Sequence, residues 1–306
     1  MIYSKPSLSI NEQVKKLRER GLIINDIRLA ENYLLNVGYY RLSGYWMVMQ
    51  ADKVAHVFKP GSTFENVAAI YQFDRELRLL LFEIIERIEI ALRTKMVYYI
   101  SNEINPWWFE DCTNFKNPVA HSDTLLSIDR ELQQTKEDFI KQHYLKYHTD
   151  TRRPPAWKTL NISSFGTISK LYGNLSDRIQ SKDKIASDFG TVNKTYLPSW
   201  LQSISQIRNI CAHHGRIWNR NLPGRPKLLP KPPNKWITNI PQQTEQNRLY
   251  IHVCCMMYLF DTIDSENTIT NRLENLFIKY PNIDRSALGF NAGWEKEPLW
   301  DINRHK

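Results

Sequence analysis

Apolar residues recur at spacings of three and four along most of this chain, a period typical of amphipathic helices. The longest such pattern runs from Ser62 to about Ile100, where Ser62 and Glu65 form a capping box and the apolar face is wide enough to contact several helices. Shorter helices are predicted over 9–20, 26–36, 122–148, 164–175, 177–189, 243–263 and 266–280. No strand alternation longer than a few residues is visible, so the pattern predicts an all-α fold.

One further helix is predicted to begin near Pro198, which suits a first turn, and to end at Gly215. The periodicity fails over 102–120, which is typical of a loop, and Pro154 and Pro155 break the chain again. We divide the chain into an N-terminal helical hairpin with an aromatic segment (1–50), a helical core with insertions (51–265), and a C-terminal helix with a tail (266–306).

Composition indicates the kind of partner. The chain of 306 residues is 42% hydrophobic and 24% charged, as ordinary globular proteins are, and its net charge of +9 suggests an anionic partner such as nucleic acid. The longest apolar run, 250–260, is too short for a bilayer, which needs about 20 apolar residues. The N-terminus has no apolar signal region, so we expect a cytoplasmic protein that does not enter a membrane.

The cysteines indicate a reducing compartment and no metal. They include no CxxC pair, so we interpret them as buried free thiols; they are Cys112, Cys211, Cys254 and Cys255. The nearby histidines do not stand at zinc-ligand spacing from Cys211. We therefore expect neither a metal nor another cofactor.

The stretch IRNICAHHGRIWNR, at 207–220, concentrates cations, imidazoles and amides and contains no acid. Its polar residues are Arg208, Asn209, His213, His214, Arg216, Asn219 and Arg220. A Pro-rich loop extends the basic character through Arg225, Lys227, Lys231 and Lys235, with no Asp or Glu between Gln206 and Trp236. We predict that His214, Arg216, Arg220, Arg225 and Lys227 bind RNA.

The first part of this stretch suits RNA cleavage. On a helix, Asn209 and His213 share a face, and the long side chain of Arg208 can reach the same groove. The imidazole would take the proton of a 2′-hydroxyl and the guanidinium would stabilise charge developing on the phosphate, which requires no metal. The second proton transfer falls either to His214 or to His213 of a second subunit. Alternatively, these side chains cap carbonyls, bind a partner's carboxylate or form a polar core network.

Two other segments allow both a structural and a functional interpretation. The aromatic residues of GYYRLSGYW, at 38–46, could stack bases while Arg41 holds phosphate, or they could wedge the hairpin against the body. Glu86 and Glu89 lie on a face of alternating charges that is either solvated or ion-paired, or that orients a catalytic base.

Three separated segments together resemble a known family. RNICAHH, with a polar residue after Arg208 and His213 further on, resembles the signature of the HEPN superfamily of helical ribonucleases. Together with GYYRLSGYW and the FDRELRLLLFEIIERIEIALRT helix at 73–94, it resembles the Abi-like abortive infection proteins of bacteria, of the AbiD or AbiF type. The resemblance covers roughly 17–260.

The resemblance implies a HEPN-like helical bundle in which the Ser62 helix packs beside the Pro198 helix. It also implies a toxin-like, metal-independent endoribonuclease of phage defence, with Arg208 and His213 at the active site and Asn209 supporting them. HEPN proteins commonly pair, so a homodimer is expected. Some relatives are restrained by a small RNA, which the basic loop could bind instead of substrate.

Two rival functions stay open at this point. One is a non-catalytic protein that binds or senses RNA on the same scaffold. The other is an interaction module whose basic face contacts an acidic protein.

Overall fold

The computed structural model describes residues 2, 6–191, 194–229 and 232–301. These residues form twelve α-helices and one short antiparallel hairpin, so the all-α prediction is confirmed. The strands are β1 (Gln50–Asp52) and β2 (Val57–Phe58). The helices are α1 (Ile10–Glu19), α2 (Ile27–Asn36), α3 (Tyr39–Trp46), α4 (Phe64–Glu103), α5 (Pro118–Gln134), α6 (Asp138–Lys146), α7 (Ala156–Ile162), α8 (Phe165–Asn174), α9 (Gln180–Asp188), α10 (Tyr196–Ala212), α11 (Leu249–Asp261) and α12 (Ile269–Lys279).

The N-terminal helical hairpin forms as predicted. Ser9 caps α1 in a capping box with Glu12, and the Asp26 side chain caps α2. The predicted Ser62 cap of α4 is wrong, because Thr63 caps this helix and accepts the N–H of Asn66. Glu65 instead accepts two backbone N–H groups at the start of α2, which ties the hairpin to the long helix.

The aromatic segment at 38–46 forms helix α3, although the sequence analysis assigned no helix there. Gly38 precedes it with φ 91°, a left-handed conformation that favours glycine. Three side chains of α3 are buried, namely Leu42, Tyr45 and Trp46. The helix thereby packs on α4, which agrees with the wedge interpretation for Tyr45 and Trp46.

Helix α4 is the central element of the fold. It contacts α2, α3, α7, α8, α9, α10, α11 and α12, so the wide apolar face indeed meets several neighbours. The packing of α4 beside α10 confirms the arrangement that the family resemblance implied. Helix α8 runs antiparallel to α10, since Gly166 approaches Ser205 while Gly173 approaches Pro198.

Two predicted helices need correction, and the predicted break at Pro154 and Pro155 is confirmed. The single helix expected over 122–148 is two helices, because Thr135 is extended and its hydroxyl accepts the N–H of Glu137. Helix α7 begins directly after the break at Pro154 and Pro155, because Pro155 has the extended conformation of a residue that precedes a first helical turn. The helix expected over 243–263 begins only at Leu249, after a series of turns.

One contiguous cluster of buried side chains extends from Val14 to Trp300. It includes the C-terminal Trp294 and Trp300, whose rings pack edge to face. The three-part division of the chain stays a prediction. Of the helices in the described residues, none combines the length and apolar character needed to cross a membrane.

Candidate functional site

Helix α10 ends in a Schellman motif that places two histidines at its C-terminus. His213 is the capping residue, and the N–H groups of His214 and Gly215 return to the carbonyls of Cys211 and Ile210, at 3.0 and 2.7 Å. The left-handed residue is His214, with φ 55°, and not the predicted Gly215. Glycine suits position 215 for another reason, because a Cβ there would lie 3.2 Å from the Ile210 carbonyl oxygen.

A buried carboxylate fixes the chain just after this helix end. Asp74 of α4 accepts the backbone N–H groups of Ile217 and Trp218, at 3.1 and 2.6 Å. It also accepts the Tyr45 hydroxyl at 2.8 Å and pairs with Arg78. Burial raises the pKa of Asp74, while the Arg78 guanidinium and the Trp218 N–H oppose this rise.

Sequence reasoning missed this carboxylate and its partners. The signal was present, since Asp74 and Arg78 stand four residues apart on the apolar face of a helix. Charged residues at such positions are buried only when they are paired.

Helix α3 packs against the same helix end. The Arg41 guanidinium donates to the His214 carbonyl oxygen at 2.6 Å. One turn further on, Gly44 lies so close to Arg216 that a Cβ there would be 3.4 Å from the Arg216 Nε. Arg41, predicted to bind RNA, is therefore placed next to the histidine pair, 173 residues away in sequence.

Arg208 projects toward α4 and is partly exposed. Its Nε lies 4.0 Å from the Glu89 carboxylate, and its side chain is 31% exposed. Glu89 also accepts from Arg93 at 2.8 Å, and Arg93 donates to the Ser163 carbonyl oxygen at 3.1 Å. The contacts of Glu89 are thus with two arginines and not with a histidine, which favours an ion-paired role over orientation of a base.

Asn209 and His213 both lie on the exposed surface, four residues apart, as their spacing predicts. The His213 backbone N–H donates to the Asn209 carbonyl oxygen. Within the part of the chain that the structure describes, neither the His213 nor the His214 imidazole makes a hydrogen bond. Both rings are therefore available to an external ligand.

The basic segment after α10 divides into two parts. The Arg216 guanidinium donates to the carbonyls of Trp218 and Asn219, and burial lowers its pKa. Arg220 is exposed and donates to the Arg216 carbonyl oxygen at 3.4 Å. Arg216 thus holds its own loop together, whereas Arg220 is open to solvent.

Lys227 is exposed beside the first turn of α10, whereas Arg225 is exposed further along the helix, since the adjacent Gly224 approaches Gln206. The Lys227 N–H donates to the Ser199 hydroxyl and its carbonyl accepts from Trp200, so the loop runs back along the helix. Ser199 precedes His213 by about four turns, or roughly 20 Å. The structure therefore does not bring Lys227 to the histidines. Lys231 lies outside the described residues.

The cysteine interpretation holds for three residues and is wrong for one. Cys211, Cys254 and Cys255 are buried free thiols, and burial raises the pKa of Cys211 to about 12. Cys112 is exposed, because it lies in a short 3-10 turn of the loop before α5. Among the described residues, no three His, Cys, Asp or Glu side chains are grouped to hold a metal ion.

The fold and site define a helical protein in which two exposed histidines lie at the end of a helix whose Arg208 pairs with Glu89. The family described as Abi-like protein matches residues 32–219, more than half of the chain. This chain therefore belongs to the Abi-like protein family. The matched region includes Arg41, Arg208, Asn209 and His213 and ends before Arg220. Neither the curated proteins nor the solved structures compared with the chain gave a match.

Proposed function

We propose that this protein is a toxin-like, metal-independent endoribonuclease of the HEPN type that acts in the cytoplasm in abortive infection. Membership in the Abi-like family supports the role in phage defence and is compatible with an AbiD or AbiF subtype. The observation that carries the chemistry is the end of α10, where an amide and two imidazoles are exposed and neither imidazole makes a hydrogen bond within the described residues. Arg208 precedes His213 by five residues on the same helix and pairs with Glu89.

Each side chain has a role in transesterification. His213 takes the proton of the ribose 2′-hydroxyl, whose oxygen attacks the adjacent phosphorus while the bond to the 5′-oxygen breaks. Arg208 stabilises the negative charge on the phosphate oxygens, and Asn209 donates a hydrogen bond to the bound RNA. A protonated His214, or His213 of a second copy in a homodimer, gives a proton to the leaving 5′-oxygen. The products are a 2′,3′-cyclic phosphate and a 5′-hydroxyl.

The experiment that tests this activity compares growth after induction. The parent chain should slow growth, and Arg208→Ala and His213→Ala should each relieve the effect at equal soluble expression. Arg272→Ala is the matched control, because Arg272 also pairs with an acid of α4, Glu83, but lies on α12. Undiminished toxicity in both site variants would contradict the proposal.

The purified chain gives a direct test of the chemistry. RNA cleavage should persist in chelator and should leave a cyclic phosphate end. Activity that disappears in chelator and returns with added metal would contradict metal independence.

The exposed cations Arg225 and Lys227 favour a second candidate function, because they form a basic surface along α10 that reaches the helix end remote from the histidines. Such a surface suits a regulatory small RNA, a non-catalytic RNA-binding or sensing role, or contact with an acidic protein. Sequencing the RNA that copurifies with the chain separates these cases. A discrete small RNA supports a restrained toxin, whereas an acidic protein without RNA supports the interaction module.

A further inference from the structure

The aromatic residues of α3 have different environments. Tyr45 and Trp46 are buried, at 1% and 2% exposed, and the Tyr39 hydroxyl accepts from Arg20. Tyr40 is 93% exposed, although its ring is a large apolar surface. The wedge that joins α3 to the body thus uses Tyr45 and Trp46 and leaves the Tyr40 ring without a packing role.

Tyr40 lies on α3 close in sequence to two residues that approach the segment at the end of α10, Arg41 and Gly44. Residues four apart share a helix face, so Tyr40 is one turn above Gly44, which contacts Arg216. The next residue, Arg41, donates to the His214 carbonyl. Tyr40 therefore belongs to the part of α3 that packs next to His214 and Arg216, and its ring is exposed there.

We propose that Tyr40 stacks on an unpaired base beside the phosphate that the histidine surface receives, so that the site takes single-stranded RNA. This inference rests on the proposed function for the location of that phosphate. Aromatic rings flanked by cations bind single strands because every base has a π-face, and Arg41, the next residue after Tyr40, supplies an exposed charge. Duplex RNA offers no free face, since its bases are already stacked.

The full chain carrying His213→Ala provides a parent that should bind RNA without cutting it. The probe is an unstructured RNA oligonucleotide containing 2-aminopurine, whose fluorescence falls when the base stacks. Tyr40→Ala in this parent should weaken binding about tenfold or more and restore the fluorescence. Tyr40→Phe and Tyr40→Trp should retain both signals, whereas Tyr40→Leu should behave as alanine because it keeps bulk without a ring.

Tyr98→Ala is the matched control, since Tyr98 is 63% exposed on α4 and lies in a cleft with Lys184. It should leave single-strand binding unchanged, and no Tyr40 variant should change the affinity for duplex RNA. Binding of the Tyr40→Ala chain within about twofold of the parent, or an equal loss in Tyr98→Ala, would overturn the inference.

The two proposals fail in different ways. If Tyr40→Ala loses binding but the chain with His213 intact does not cut RNA, the nuclease proposal fails and the stacking role stands in a non-cutting RNA-binding protein. If the intact chain cuts RNA but Tyr40→Ala binds normally, only the stacking role fails. Both proposals are overturned if the His213→Ala parent binds no RNA and the intact chain cuts none.

Discussion

His214 occupies a backbone conformation that a histidine rarely adopts. Its φ is 55°, the left-handed conformation that follows the end of α10. A non-glycine residue in this conformation destabilises the folded state by on the order of 1–2 kcal/mol. Such strain is typical of positions where the side chain is needed. The Arg41 guanidinium on the His214 carbonyl helps to hold this conformation.

Replacing His214 by glycine should separate stability from function. We expect His214→Gly to raise the free energy of unfolding by about 1 kcal/mol, because the strain is relieved, and to reduce RNA cleavage, because an imidazole is lost. Urea denaturation and a cleavage assay on the same preparation measure the two effects.

His56→Gly is the matched control for this pair of measurements. His56 also has a positive φ, 59°, and is exposed in the β1–β2 turn. It should give a similar gain in stability without loss of cleavage. A less stable His214→Gly chain with unchanged cleavage would mean that the imidazole stabilises the folded state and takes no part in cleavage.

At this scale the sequence predicted what lies within one helix. The spacing of Asn209 and His213 placed them on one face, and both are exposed. It did not predict the Arg41 contact with His214 or the Glu89 contact with Arg208, because each depends on how distant segments pack. Residue type alone placed Arg216 with the RNA-binding cations, whereas its guanidinium is directed to carbonyls of its own loop.

At the scale of elements, Asp74 joins α3, α4 and the segment after α10. Its removal in Asp74→Ala leaves two buried backbone N–H groups and the Arg78 guanidinium without their acceptor. We expect the free energy of unfolding to fall by about 3–5 kcal/mol, measured by urea denaturation.

Asp188→Ala is the comparison for the Asp74 variant. Asp188 also accepts from α4, through Lys95 and Tyr99, but its side chain is 28% exposed. The loss there should be about 1 kcal/mol or less, because solvent screens the pair and replaces the lost contacts. If both variants lost the same free energy of unfolding, this would contradict the claim that the contacts of Asp74 matter more because they are buried.

Helix ends were predicted well where the cap is local and poorly where it is tertiary. Ser9 and Asp26 cap α1 and α2 as their sequences indicate. Glu65 could not be assigned from sequence, because its partners are backbone groups at the start of another helix. Likewise, the period of 122–148 continues across Thr135, and only the backbone shows the break between α5 and α6.

At the scale of the whole molecule, α10 and α11 share the central core. His252 of α11 is buried there, at 1% exposed, and its Nδ1 hydrogen-bonds to the Ser203 hydroxyl of α10. Burial lowers the pKa of His252 to about 4. As the pH falls, the His252 imidazole therefore becomes protonated near pH 6.5 in the unfolded chain but only near pH 4 in the folded chain.

Acid should consequently destabilise the fold in a defined window. Above pH 6.5 the imidazole is neutral in both states and has no effect on the unfolding equilibrium. Between pH 6.5 and about 4 only the unfolded state gains the proton, so the free energy of unfolding falls by about 3 kcal/mol in total. Below about pH 4 both states are protonated and this contribution becomes constant.

His252→Asn isolates this effect, because its amide can still meet the Ser203 hydroxyl but does not titrate. Urea denaturation of the parent and the variant across pH 4 to 7 should give curves whose difference changes by about 3 kcal/mol. His148→Asn, an exposed histidine near the end of α6, should track the parent. Parallel parent and His252→Asn curves would mean that the imidazole takes up its proton over the same pH range in the folded and unfolded chains, which would contradict the claim that burial lowers its pKa.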